Sequence, residues 1–131
     1  FQQLLIIKQM VKDLNCNIEI IEAPIIREKD GLAMSSRNSY LRPEQRIHAL
    51  LLYKALKKAG EILKNGGRDS SKIIEEATSL IKSRPDTSID YIKICDPETL
   101  ENIKIIEKPA LMALAVKVGA TRLIDNMILS P

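Results

Sequence analysis

Apolar positions recur with two different periods along the chain, and the changes between them divide it. In residues 1–14, Leu4, Leu5, Ile7, Met10, Val11 and Leu14 stand three and four positions apart, which predicts one amphipathic helix. Asn15-Cys16-Asn17 breaks that spacing. Residues 18–23 follow as a short β-rich run that Pro24 ends. Helix, short turn and strand make half of a βα repeat in a parallel sheet. No second strand pattern appears before residue 89. Residues 1–40 therefore read as the last helix and strand of a Rossmann-type α/β domain whose other strands lie outside this sequence.

The helical period returns after Pro43, which suits a first helical turn, although Arg42 in the capping place is a poor capper. Ile47, Leu50, Leu51, Ala55, Leu56, Ala59, Ile62 and Leu63 make a clear apolar stripe, and Asn65-Gly66-Gly67 stops it. Asp69 or Ser70 caps another helix with Ile73, Ile74, Ala77, Leu80 and Ile81 on its buried face, closed by Arg84-Pro85-Asp86. The period then changes to two. Residues 89–94 read as a strand, Asp96-Pro97-Glu98 as a turn, and residues 111–118 as a strand apolar enough to be covered on both faces for part of its length. Gly119-Ala120 makes a tight turn into a third strand over residues 121–128. Two helices and a small antiparallel sheet make residues 41–131 a compact α+β domain.

Between the two units lies Asp30-Gly31-Leu32-Ala33-Met34-Ser35-Ser36-Arg37-Asn38. Asp30-Gly31 is a turn signal, and no acidic residue occurs from Gly31 to Tyr40. Ser35 and Ser36 offer hydroxyl and amide donors, and Arg37 offers a planar fork that fits phosphate oxygens. Such a loop suits a polyanion whose charge grows in a transition state. On composition alone, a polar linker is the rival reading.

The string Pro24-Ile25-Ile26-Arg27-Glu28-Lys29-Asp30-Gly31-Leu32-Ala33-Met34-Ser35-Ser36-Arg37-Asn38-Ser39-Tyr40-Leu41 closely resembles the signature of the pantothenate synthetase (pantoate–β-alanine ligase) family. Phe1-Gln2-Gln3 resembles the end of that family's Gly-x-Lys-Asp-x-Gln-Gln motif, and Leu123-Ile124-Asp125-Asn126 resembles its closing strand. The likeness runs through nearly the whole chain, in order, and identifies it with the C-terminal portion of that family. It implies an ATP-dependent ligase in which pantoate's carboxylate attacks the α-phosphorus of ATP. The amine of β-alanine then displaces AMP from pantoyl adenylate.

By motif, Met34, Ser35, Ser36 and Arg37 fall on the ATP loop, Ile26 on the position whose backbone meets the adenine side, and Gln3 on the pantoate site. The resemblance further implies Mg2+ with ATP. The family's acid/base histidines belong to a His-x-Gly-His motif that this sequence does not contain, so no catalytic residue is assigned here and the chain alone is expected to be inactive. Asp125 and Asn126 read as structural residues at a strand end, and His48 as an ordinary helix histidine. A standalone, non-catalytic α+β binding or dimerisation module is the alternative from a different class.

Composition narrows this further. With 20 basic and 17 acidic residues the net charge is +3, too little to argue for a nucleic-acid or membrane partner. Residues 41–85 carry ten basic against five acidic residues, but on helix faces without interleaved aromatics, which is a solvated face. Cys16 and Cys95 are far apart and only one His is present, so a Cys/His zinc site is not indicated and both thiols read as reduced. No apolar run reaches the ~20 residues that span a bilayer. A cytoplasmic location is expected by default. An unpaired strand beside an apolar helix face invites a second copy, so the expectation is a homodimer, with 1–40 poorly ordered or covered by another chain.

Overall fold

A computed structural model describes residues 1–131. Its elements are α1 (Gln2–Asp13), a 3-10 helix (Ser36–Tyr40), α2 (Pro43–Lys64), α3 (Ser70–Lys82), and strands β1 (Thr87–Cys95), β2 (Ala110–Val118) and β3 (Thr121–Leu129). The strands form one antiparallel sheet in the order β1-β2-β3. The expected α+β arrangement of residues 41–131 is present, with boundaries within two residues of the periodic pattern.

α2 and α3 pack on one face of that sheet. Leu52, Leu56 and Leu63 from α2 and Ile73 and Ile81 from α3 meet Met112, Leu114 and Val116 from β2, all essentially fully buried. Leu111 and Ala115, on the opposite face of β2, are also buried, as its apolar composition predicts for a central strand. α3 is capped by Asp69, whose side chain accepts from the Ser71 and Lys72 N–H groups. Arg42 cannot cap α2, since a guanidinium has no acceptor. Instead Gln45 accepts from the Arg42 N–H at 3.1 Å, and its side chain sits beneath the β2–β3 turn, where a Cβ on Gly119 would strike it. His48 Nδ1 lies 2.6 Å from Asp86 Oδ1, which sets α2 against the α3–β1 turn. That is a structural place for the histidine.

Residues 18–23 form no strand. Their composition favours one, but a strand is completed by a neighbour's hydrogen bonds, and the only sheet of this chain is occupied by β1–β3. α1 buries no residue. Ile6, Ile7, Met10 and Leu14 leave an apolar face open, and Lys8 pairs with Glu22 across the turn. Asp125, read from the sequence as a strand-end residue, stands in the middle of β3. No helix is long and apolar enough to cross a membrane. Both cysteines are free, Cys16 exposed and Cys95 buried.

Candidate functional site

The Asp30–Asn38 stretch is the end of a small hairpin that docks on α2 and β3. Glu28 N–H donates to Leu32 O at 2.8 Å, Gly31 N–H to Glu28 O at 2.8 Å, and Met34 N–H to Ile26 O at 2.9 Å. The turn needs Gly31: its φ is +97°, and a Cβ there would lie 2.6 Å from the Tyr53 ring. Gly31→Ala should therefore lower stability by about 1–3 kcal/mol. A urea midpoint unchanged from that of the parent chain would show that the turn does not need this backbone.

Two cationic clamps fix the hairpin. The Arg27 guanidinium donates to both oxygens of Asp125, at 2.7 and 2.9 Å, and to Gly31 O at 3.1 Å, and it lies 4.0 Å over the Tyr53 ring. Asp125 is 5% exposed. On the outer side, Arg46 of α2 donates to Glu28 at 2.7 Å and to Asp30 at 2.7 and 2.9 Å. The Asn38 amide donates to Glu28 at 2.6 Å and to Ala33 O at 3.0 Å, which joins the hairpin to the 3-10 helix.

Hydrogen bonds from Asn38 and then Arg46 hold Glu28 below the usual carboxylate range, and Arg46 does the same for Asp30. Both carboxyls therefore bind protons less readily folded than unfolded. Their contribution is complete above the ordinary carboxylate range and lost as pH falls through the depressed folded values. Acid unfolding should accordingly begin at higher pH, and be less steep, in Arg46→Met than in the parent chain. Superposable acid profiles would show that the outer clamp is electrostatically idle.

Beyond the hairpin, Ser35 caps the 3-10 helix by accepting from the Arg37 N–H at 3.2 Å. Met34, Ser35 and Arg37 line one cavity, closed on its far side by Arg122, Ile124 and Asp125 of β3. Met34 is 62% exposed, and Ser35, Ser36 and Arg37 are exposed as well. Ser36 starts the 3-10 helix and lies outside that lining, as does Ile26, whose carbonyl is taken by Met34. Gln3 lines a second groove, over the outer face of the sheet at the register row Lys93, Ala113 and Asn126. Arg122, Ile124 and Asp125 belong to both linings. The loop and the glutamine, about 30 residues apart in the chain, thus meet across one stretch of β3.

Sequence reasoning missed Arg27, Asn38 and Arg122. A signal for the first existed, since Asp125 alternates with the inward-facing Leu123, and a carboxylate on an inward position requires a cation. No three His, Cys, Asp or Glu side chains come together where they could hold a metal ion.

The family model described as Pantoate-beta-alanine ligase matches residues 1–128. A curated pantothenate synthetase from Desulfatibacillum aliphaticivorans is 56% identical over 131 residues, covering 100% of this chain and 47% of that protein. One from Pelotomaculum thermopropionicum is 54% identical over 128 residues, covering 98% and 45%. Among solved structures, pantothenate synthetase from Thermus thermophilus superposes with a TM-score of 0.92 at 38% identity, over 99% of this chain and 47% of that one. A pantoate-beta-alanine ligase from Francisella tularensis, complexed with beta-gamma ATP and β-alanine, superposes at 0.64 and 33% identity over 97% and 40%. This chain spans about half the length of the relatives it matches.

Proposed function

The chain belongs to the pantoate–β-alanine ligase family, corresponding to its C-terminal portion, and from that premise we propose that it supplies the lid side of a site joining pantoate to β-alanine with ATP. The reaction runs through pantoyl adenylate to pantothenate, AMP and pyrophosphate. The observation that carries this reading is the convergence of Met34, Ser35 and Arg37 with Gln3 on two linings that share Arg122, Ile124 and Asp125.

Each residue has a task in that reaction. Attack of pantoate's carboxylate on the α-phosphorus builds negative charge on the phosphates, which Arg37, the Ser35 and Ser36 hydroxyls and the donors at the head of the 3-10 helix meet without forming a covalent bond. The Gln3 amide can donate to pantoate's carboxylate and accept from its hydroxyl. Ile26 borders the adenine. Residues 1–40 are the end of a Rossmann-type nucleotide-binding domain and residues 41–131 the small C-terminal domain. The open apolar face of α1 and residues 18–23 pack against the rest of a ligase-length chain, in a cytoplasmic homodimer.

Two proteins test this. The 131-residue chain alone should release no AMP from ATP, pantoate and β-alanine, because the His-x-Gly-His residues are absent. A chimaera in which residues 1–131 replace the matching part of the 56% identical relative should release AMP and form pantothenate. An inactive chimaera that folds would overturn the ligase reading and favour a non-catalytic module. Turnover by residues 1–131 alone would move the chemistry onto side chains that hold structural places in this fold.

A further inference from the structure

Arg122 of β3 lines both the cavity of Arg37 and the groove of Gln3. Its Nε donates to Asp90 Oδ2 at 2.6 Å. No second carboxylate pairs with it: only the Tyr91 side chain stands beside the guanidinium as well, and the side chain is 45% exposed. The neighbouring carboxylate of Asp125 is already taken by Arg27. Asp90 itself sits where the β1–β2 register shifts between Ile89 and Tyr91, which leaves it as the extra residue of a β-bulge. A bulge re-aims one side chain. Here it sends a carboxylate from β1 across β2 to the Nε edge of an arginine on β3, a residue that lines both the cavity of Arg37 and the groove of Gln3.

Resting on the ligase reading, we propose that Arg122 is a further substrate-contacting residue, an oxyanion-binding fork supplied by β3 and oriented by Asp90. The fork matches a carboxylate or a phosphate equally well. On the Gln3 side the oxyanion is a carboxylate of pantoate or β-alanine, and on the Arg37 side it is a phosphate of ATP. A plain cross-strand ion pair is the competing account. An exposed pair of that kind contributes little to stability and nothing to substrate affinity.

The chimaeric ligase decides between them. Arg122→Gln should raise the KM of one substrate by about 10- to 100-fold, the usual loss for a hydrogen-bonded charge pair, with the thermal midpoint nearly unchanged. A KM rise confined to pantoate or β-alanine assigns the carboxylate, and a rise confined to ATP assigns the phosphate. Arg122→Lys should recover part of the loss, since it keeps the charge without the fork. Asp90→Asn, which loosens the anchor only, should shift the same KM by a smaller factor. Unchanged KM values for all three substrates in Arg122→Gln would overturn the proposal. So would equal effects of Arg122→Gln and Asp90→Asn on melting with no kinetic change, which is the pattern of a structural pair. An inactive parent chimaera instead overturns the ligase reading, and this proposal with it.

Discussion

Arg27→Met is expected to cost about 3–5 kcal/mol, because it strands a buried carboxylate. Asp125 is 5% exposed. Besides the two hydrogen bonds from Arg27 it accepts only the Asn126 N–H, at 2.8 Å. Asp125→Asn should cost less, about 1–3 kcal/mol, since the amide oxygen keeps one acceptor and Arg27 retains Gly31 O and the Tyr53 face. The pair with both charges removed, Arg27→Met with Asp125→Leu, should regain most of the loss, because a buried ion pair replaced by apolar groups of similar volume is often neutral. Urea unfolding of the four proteins gives the energies. Hydrogen exchange at the Gly31 and Met34 amides separates undocking of the hairpin from global unfolding. An Arg27→Met protein within about 1 kcal/mol of the parent, roughly the ceiling for an exposed pair, with the same exchange at those amides, would show that something other than this clamp holds the hairpin.

That clamp marks where sequence reading stops. α2, α3 and the three strands were legible because each is a local statement: an apolar period of three to four or of two, started by a cap such as Asp69 or ended by Asn65-Gly66-Gly67 or Gly119. Residues 18–23 carry an equally good local pattern and yet form no strand, since pairing depends on a neighbour that this sequence does not provide. The 3-10 helix Ser36–Tyr40 was illegible for a different reason. Five mostly polar residues have no hydrophobic period, and the helix is stabilised by the Ser35 cap and by Asn38 reaching back to Glu28.

The Arg27–Asp125 bond spans 98 positions. An arginine near a turn and an aspartate in a strand can each be seen in the sequence, but not that they meet. The same limit applied to the candidate site. The motif placed Met34, Ser35, Ser36, Arg37 and Gln3, while the sheet alone reveals that Arg122 lies between them.

The largest kinetic effect should come from Arg37. Its backbone N–H is engaged by Ser35 Oγ at 3.2 Å, but its guanidinium has no partner in the chain and faces the cavity beneath Arg122 and Asp125. Holding an unpaired cation at a lining gives nothing to folding, so its contribution should appear where phosphate charge develops. In the chimaeric ligase, Arg37→Ala should slow adenylate formation by about 10²–10³, the loss typical of one preorganised donor to a developing anion, and leave pantoate affinity nearly as it was. Thermal stability should be unaffected, which separates this residue from Arg27. Pre-steady-state release of pyrophosphate reads the first step directly, and β-alanine-dependent release of AMP reads the second. An unchanged first-step rate with a raised pantoate KM would reassign Arg37 from the phosphates to the acid substrate. It would also leave the oxyanion-binding fork of Arg122 as the cation of β3 that meets ATP.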